Sequence, residues 1–253
     1  MIDVNEKTQK RLSSLSLVFP AYNEELNVER AVAEARRVLE KVAERYEIIV
    51  VNDGSADDTG SIIDRLAKEN GQVVPVHHPK NRGYGAAVCS GFAQARLDYV
   101  FFTDSDLQFN LDEIERLIEW IDRFDIVTGY RAKRADPLHR RLNAWAWGTL
   151  VRFLFSIKVR DIDCAFKLFH RRVFDVIKPT SGGAMVNTEI LALATKYGFT
   201  IQEVPVSHLP RAQGEQTGAN LKVILKAFRE LFSMYRRLKS YTAPSVTTVQ
   251  VKP

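Results

Sequence analysis

The run YVFFTDSDLQ, Tyr99 to Gln108, carries an apolar, aromatic stretch straight into Asp104 and Asp106, with Ser105 between them and Gln108 two positions on. Side chains alternate across a strand, so the two carboxylates share a side if extended geometry continues. Like charges converging at the end of a buried strand make poor structure but a good site for a hard cation. Mg2+ and Mn2+ take oxygen ligands and complete their shells with phosphates and water. Asp104 and Asp106 are therefore candidate metal ligands, with the Gln108 amide oxygen nearby. Taken alone, an Asp-x-Asp is more often a solvent-facing turn, and the helix-like LDEIERL follows directly. The neighbouring clusters shift that balance.

Two more apolar runs end in polar clusters. LSLVFP leads to Pro20-Ala21-Tyr22-Asn23-Glu24, and YEIIVV leads to Asn52-Asp53-Gly54-Ser55. A carboxylate such as Asp53 can accept hydrogen bonds from a base ring or a ribose, although Asn-Asp-Gly-Ser is also ordinary turn chemistry. HPKNRGYGAA sets Gly83 and Gly85 between Lys80, Arg82 and a helix, a loop able to approach a phosphate but not the dinucleotide fingerprint.

The elements that position these clusters alternate in type. LSLVFP, YEIIVVND, VVPVHH, YVFFT and DIVTGYR read as strands. Between them lie helical patterns: NEELNVERAVAEARRVLEKV with Asn23 as N-cap, a helix over Thr59–Glu69, GAAVCSGFAQA, and LDEIERLIEWIDRF. Strands apolar on both faces and alternating with helices predict an α/β fold, a mostly parallel sheet with helices on both sides. Ligands of such sheets bind outside the carboxyl ends of the strands, where the three clusters sit.

The 253 residues are 45% hydrophobic, enough for a sizeable core. No apolar run approaches the roughly 20 residues of a membrane span, and MIDVNEKTQKRLSS lacks the apolar core of a signal peptide, so a cytoplasmic protein is expected. Cys89 and Cys164 match no metal-ligand spacing and read as buried thiols. The net charge of +5 is uneven: residues 129–172 hold 11 Lys/Arg against 3 Asp/Glu. That local excess points to an anionic partner. ANLKVILKAFRELFSMYRRLKSY is a basic amphipathic helix, fit to lie on an anionic membrane surface, dock on a partner or cover its own domain.

FPAYNEELNV, VVNDGSADDT, KNRGYGAAVCSGF and DSDLQ, in this order, resemble the family-2 inverting glycosyltransferases of the GT-A (Rossmann-like) fold. GYRAKRADPLHRRLNAW, RDIDCAFKLFHR, MVNTEILALATKYGFTIQEVPV and LPRAQGEQTG are similar to the dolichyl-phosphate mannose synthase and polyprenyl-phosphate glycosyltransferase branch. The resemblance covers about 15–221. With it the chain divides into a domain over 13–218, the basic amphipathic helix over 219–241, and tails at 1–12 and 242–253 that read as loose from their composition.

The resemblance implies a nucleotide-sugar donor, GDP- or UDP-linked, held by Pro20, Ala21, Tyr22, Glu24, Asn52, Asp53, Lys80, Gly83, Asp104 and Ser105. Asp104, Asp106 and Gln108 would surround Mg2+ or Mn2+. Arg131 would face the phosphates, and Asp161 matches an acidic residue near the reacting centre. Arg140, Arg141, Lys167 and Arg211 are the candidates for holding a polyprenyl-phosphate or other lipid acceptor. Asn52, Ala165, Lys167 and Gln216 depart from the residues usual at their positions. The expected partners are the donor, the lipid acceptor, the membrane surface, and a membrane protein or second copy; nucleic acid is not among them. Transfer to a hydroxyl acceptor, a catalytically silent nucleotide-sugar binder and an aspartyl phosphotransferase are the competing readings.

Overall fold

The computed structural model describes residues 10–132, 138–209 and 221–240, with side chains over 10–132, 146–209 and 228–240. Seven strands form one sheet: β1 (Leu12–Ala21), β2 (Ala43–Asn52), β3 (Val73–His77), β4 (Tyr99–Thr103), β5 (Ile126–Arg131), β6 (Phe166–His170) and β7 (Ile201–Val206). Their order is β3-β2-β1-β4-β6-β5-β7. β1 lies between β2 and β4, parallel to both. Its residues 14–21 are buried without a break. Because successive side chains point to opposite faces, both faces of the strand are covered.

The helices are α1 (Val28–Val42), α2 (Thr59–Glu69), α3 (Tyr84–Gln94), α4 (Ile114–Ile118), α5 (Leu138–Phe155), α6 (Val173–Val176), α7 (Val186–Lys196) and α8 (Leu221–Ser240). α3 lies close on β1. A Cβ built on Gly91 would stand 2.2 Å from Val18 Cγ1 and 3.4 Å from Val51 Cγ2, so any side chain there would have to displace Val18.

All five predicted strands are present, and β6 and β7 are added to them. β6 runs antiparallel to both β4 and β5, and β5 pairs in parallel with β7. The reversal has a consequence for position. The carboxyl ends of β1, β2, β4 and β5 share one edge, and the loop that enters β6 arrives at that same edge. Residues from the second half of the chain reach the strand-end clusters this way.

Two helix expectations change. α1 begins at Val28, not after Asn23. Asn23 adopts a left-handed φ of 54°; its Oδ1 accepts from Ala56 N at 3.0 Å and its N–H donates to Ser55 Oγ at 3.0 Å. It stitches the β1 loop to the β2 loop. The periodic LDEIERLIEWIDRF is a 3₁₀ turn at Leu111–Glu113 followed by the short α4. Leu111, Ile114, Leu117, Ile118 and Ile121 are still buried, so the apolar spacing is kept. Bonds from Trp120 N to Leu117 O and from Arg123 N to Trp120 O close three-residue turns where a helix was expected.

α8 packs on its own domain through buried Leu231, Met234 and Leu238. Phe228 meets Trp147 edge-on at 5.2 Å, and Tyr235 meets Phe155 at 5.9 Å, joining α8 to α5. Phe228 and Phe232 nevertheless remain 46% and 55% exposed.

The close seat of α3 is testable. Gly91→Ala overpacks it against Val18 and is expected to destabilise by about 1–3 kcal/mol. A urea midpoint equal to the wild type's would show that β1 yields freely.

Candidate active site

At the carboxyl edge lies a cleft of about 350 Å³. Its walls come from four places: Pro20, Ala21, Tyr22 and Glu24 after β1, Asp53 after β2, Asn81, Gly83, Tyr84 and Ala87 at the start of α3, and Asp104, Ser105 and Asp106 after β4. The three polar clusters of the sequence thus meet in one cavity. Ser105 Oγ donates to Pro20 O at 2.9 Å and ties the β4 end to the β1 end.

Asp104 and Asp106 share this cleft. Burial pushes the Asp104 carboxyl up to about 7, and the charge of Asp106 adds to the rise; the hydrogen bond from Tyr84 and the charge of Lys167 oppose it. Tyr84 Oη donates to Asp104 Oδ1 at 2.8 Å. Burial, with Asp104 next to it, holds that phenol well above its usual range. Tyr84 was not a predicted site residue. Its signal was its place inside NRGYGAA, a stretch read for its glycines and cations.

Asp53 lines the cleft, yet its carboxylate is occupied. Oδ1 pairs with His78 Nδ1 at 2.6 Å and accepts from Arg82 N at 2.9 Å, while Oδ2 accepts from Gly83 N at 2.8 Å. His78 Nε2 in turn meets Ser90 Oγ at 2.9 Å. Asp53 is 1% exposed and organises the 78–83 loop that forms one wall. Asn52 is also a loop organiser: its Oδ1 accepts from Ser55 N at 2.9 Å and its amide nitrogen meets His77 Nδ1 at 3.1 Å. Neither Asn52 nor Lys80 lines the cleft, whereas Asn81 does.

The glycines of NRGYGAA approach protein, not ligand. A Cβ at Gly83 would stand 2.5 Å from Gly182 O, and one at Gly85 would stand 2.1 Å from Ser181 O. Gly85 N and Ala86 N both donate to Gly182 O, at 2.9 and 3.3 Å, so these first amides of α3 are already used.

Gln108 lies outside the cleft-lining set. Its Nε2 donates to Leu209 O at 3.1 Å, and its carbonyl accepts from Leu209 N at 2.7 Å. It splices the segment after β7 to the end of the Asp-x-Asp turn. Its own N–H donates to Asp106 Oδ1 at 3.1 Å.

Arg131, ending β5, and Asp161, in the loop entering β6, form a two-pronged pair. Nε and Nη2 each lie 2.7 Å from a carboxylate oxygen, and Arg131 N adds a third bond at 3.1 Å. Such fork-to-carboxylate geometry is the strong form of the ion pair. Burial works against the guanidinium charge, but Asp161 more than offsets it and holds Arg131 protonated.

Lys167, expected to meet an acceptor, is fully buried in the middle of the sheet. Its Nζ donates to Ile162 O, Cys164 O and Asn187 Oδ1. Burial lowers its pKa. The side chains of Arg140 and Arg141, and all of Arg211, lie outside the described residues.

Among the described residues there is no group of three or more His, Cys, Asp or Glu able to enclose a metal unaided. The donor set still fits a hard cation: two carboxylates in one cleft, one of them driven toward neutrality by burial and by the charge of the other. A cation there would take its remaining ligands from outside the chain, the usual manner of Mg2+ and Mn2+ beside phosphates.

Solved structures share this architecture. Glucosyl-3-phosphoglycerate synthase from Mycobacterium tuberculosis, in complex with Mn2+, UDP-glucose and phosphoglyceric acid, superposes with a TM-score of 0.62 at 18% identity over 89% of this chain and 79% of that one. The fold is the GT-A glycosyltransferase fold, a mostly parallel seven-stranded sheet with helices. Residues 16–178 match the family model for glycosyl transferase family 2, and the chain belongs to that family. Glycosyltransferase AglD of Haloferax volcanii is 33% identical over 78% of this chain and 33% of its own length. The undecaprenyl-phosphate 4-deoxy-4-formamido-L-arabinose transferase of Pseudomonas fluorescens is 30% identical over 87% of this chain and 64% of its own. The chain thus spans about a third of the first relative and under two-thirds of the second.

The Asp104 carboxyl titrates near 7 when folded against an ordinary 3.8. The folded state therefore holds the extra proton between those values. The associated stability is present below about 4 and is lost as pH rises through about 7, on the order of 1–2 kcal/mol for a partly exposed group. Metal-free wild type is expected to melt lower at pH 8 than at pH 5, and Asp104→Asn to flatten that slope. Mn2+ is expected to restore the wild type at pH 8 but not the variant. Melting curves for the two proteins that run parallel across this range, with and without Mn2+, would refute this account of the pair.

Proposed function

We propose that the chain is a metal-dependent, inverting glycosyltransferase that moves a hexose from a nucleotide-sugar to a polyprenyl phosphate. The observation that carries the reading is the Asp104/Asp106 pair, set in one cleft with the ends of β1 and β2, in a chain of glycosyl transferase family 2. The acceptor class follows the undecaprenyl-phosphate arabinose transferase, whose similarity covers most of this chain. The bound Mn2+ and UDP-glucose of the structural neighbour favour a divalent cation and a nucleotide-sugar donor.

Asp104 and Asp106 would hold the cation, which when bound stabilises charge developing on the leaving diphosphate. Tyr84 fixes one oxygen of Asp104 and so orients the other. Asp53 shapes the donor wall by holding the 78–83 loop. Arg131 offers positive charge at the same sheet edge, held in place by Asp161.

The state of Asp161 bears on the acceptor. A hydroxyl nucleophile needs a base to take its proton. Both oxygens of Asp161 are engaged by Arg131, which suits orientation more than proton abstraction. A phosphate acceptor is already an anion near neutral pH and needs chiefly to be held. The basic stretch over 129–172 supplies charge for that.

A lipid acceptor requires approach to a membrane. Among the described residues no helix is long and apolar enough to cross one. The exposed Phe153, Phe228 and Phe232, on α5 and α8 beside Arg229 and Arg236, suit a peripheral seat on an anionic surface. Co-sedimentation with anionic vesicles that weakens with salt is expected; none at low salt would refute this seat.

The deciding experiment is a panel of UDP- and GDP-sugars with Mn2+ or Mg2+ and a short polyprenyl phosphate, read by mass spectrometry. Asp104→Ala, Asp106→Ala and chelator are each expected to abolish transfer. If Asp161 orients Arg131, Asp161→Asn raises the apparent KM for a phosphate acceptor and changes kcat less than the roughly 10²–10⁴-fold loss of a general base. A loss of that size in kcat at saturating phosphate acceptor, with disappearance of the basic limb of the pH profile, would reassign Asp161 as the base.

A further inference from the structure

The start of α3 forms one wall of the cleft, and it is held from behind. Gly85 N and Ala86 N donate to Gly182 O, and Gly83 and Gly85 pack on the backbone of 181–183 with no room for a Cβ. The 180–183 turn is in turn fixed by Glu189 of α7, which is 1% exposed. Its Oε2 accepts from Thr180 N at 3.0 Å and from Ser181 N at 2.7 Å, and its Oε1 accepts from Thr180 Oγ1 at 3.2 Å.

The cation facing that buried carboxylate comes from the far end of the chain. Arg237, on α8, donates through Nη2 to Glu189 Oε1 at 2.7 Å and through Nη1 to Thr180 Oγ1. One guanidinium thus grips both the carboxylate that holds the turn and a side chain of the turn itself. α8 is seated close by through Leu231, Met234 and Leu238. A continuous series of contacts therefore runs from α8 to the cleft wall: Arg237 to Glu189 and Thr180, the turn to the amides of Gly85 and Ala86, and these to Tyr84.

We propose that Arg237 is a positioning residue for the donor cleft, acting through Glu189 and the 180–183 turn on the start of α3. This rests on the reading that the cleft takes a nucleoside diphosphate. The physical argument is that removing one partner of a buried, hydrogen-bonded ion pair is costly and loosens what the other partner holds. Without Arg237 the Glu189 side chain and Thr180 Oγ1 lose the guanidinium that grips both, and the acceptor that shapes the turn through Thr180 N and Ser181 N is no longer fixed in place. The carbonyl of Gly182 then no longer stands fixed under α3. The same helix carries the exposed Phe228 and Phe232, so whatever seats α8 also bears on the wall.

The test compares full-length wild type, Arg237→Ala, Arg237→Lys and Lys239→Ala. Lys239→Ala removes an equal charge from the same exposed turn and serves as the control. Two readouts are used: UDP and GDP affinity with Mn2+ by calorimetry, and hydrogen exchange of the ligand-free amides over 83–92 and 179–184. Arg237→Ala is expected to weaken nucleotide binding roughly 3- to 30-fold. In transfer assays the loss should appear in the donor KM, with kcat largely kept at saturating donor. Exchange at Gly85 and Ala86 should rise, Arg237→Lys should recover part of both effects, and Lys239→Ala should match the wild type. Should Arg237→Ala fail to fold, Arg237→Gln, which keeps the stem and one donor, carries the comparison. Unchanged exchange at Gly85 and Ala86 in the Arg237 variant, or an equal effect from Lys239→Ala, overturns the proposal. If wild type binds neither nucleotide, the donor reading fails, while the exchange data still decide whether Arg237 controls the wall.

Discussion

A surplus of negative charge at one edge of the sheet is the constraint from which the rest of the site follows. Glu24, Asp53, Asp104 and Asp106 all line the same cleft. Carboxylates in a partly dry cavity cannot all stay charged without compensation. The chain treats them differently. Asp53 has both oxygens engaged within the fold, by His78 Nδ1 and by two backbone amides. Asp104 accepts a phenolic hydrogen bond from Tyr84, and burial with the charge of Asp106 raises its carboxyl to about 7. The first is bonded into the architecture. The second is left with an unmet demand for positive charge at the place where a cation with its phosphates would satisfy it.

The sheet topology makes this division possible. β1, β2 and β4 run side by side in parallel and bring three loops to one edge. A purely parallel continuation would deliver further residues there only at the carboxyl ends of more strands. β6 runs the other way, so the loop before it, with Asp161, arrives at that edge as well. β6 also separates β4 from β5 by two strand spacings, roughly 9–10 Å. Asp104 and Arg131 therefore begin on opposite sides of a gap wider than a direct ion pair, and Arg131 pairs with Asp161, across β6 from the metal-ligand candidates.

The strand-end clusters were legible because they break a strong local pattern. A buried apolar run that ends in Asp-Ser-Asp or Asn-Asp-Gly-Ser has few structural uses, and five of the seven strands could be read from their apolar runs. β6 and β7 were not, since FKLFH and IQEVPV are short and mixed, and their pairing depends on partners far along the chain. Individual roles were less legible still. Asp53 and Asp161 were both singled out as site candidates, yet nothing in their neighbourhoods says that His78 or Arg131 would occupy them. Lys167 read as a candidate for holding the acceptor, and only the register Phe102–Lys167–Thr128 reveals it in the centre of the sheet. Tyr84 and Glu189 were invisible for the same reason, because their meaning lies in contacts that cross 20 residues or, through Arg237, 48 residues.

The insertion of β6 also bears on how the chain is made. β4 has its partner β1 as soon as residue 103 is synthesised, but its other edge waits for Phe166, which is 63 residues later. At ribosomal rates of about 5–20 residues per second, YVFFT spends several seconds or more as an open, aromatic strand edge. Such an edge is a template for pairing with another chain. The strand that ends in the metal-ligand candidates is thus also where a nascent chain is most exposed to misassociation, and substitutions that weaken β6 would show first as aggregation during expression and only afterwards as loss of activity.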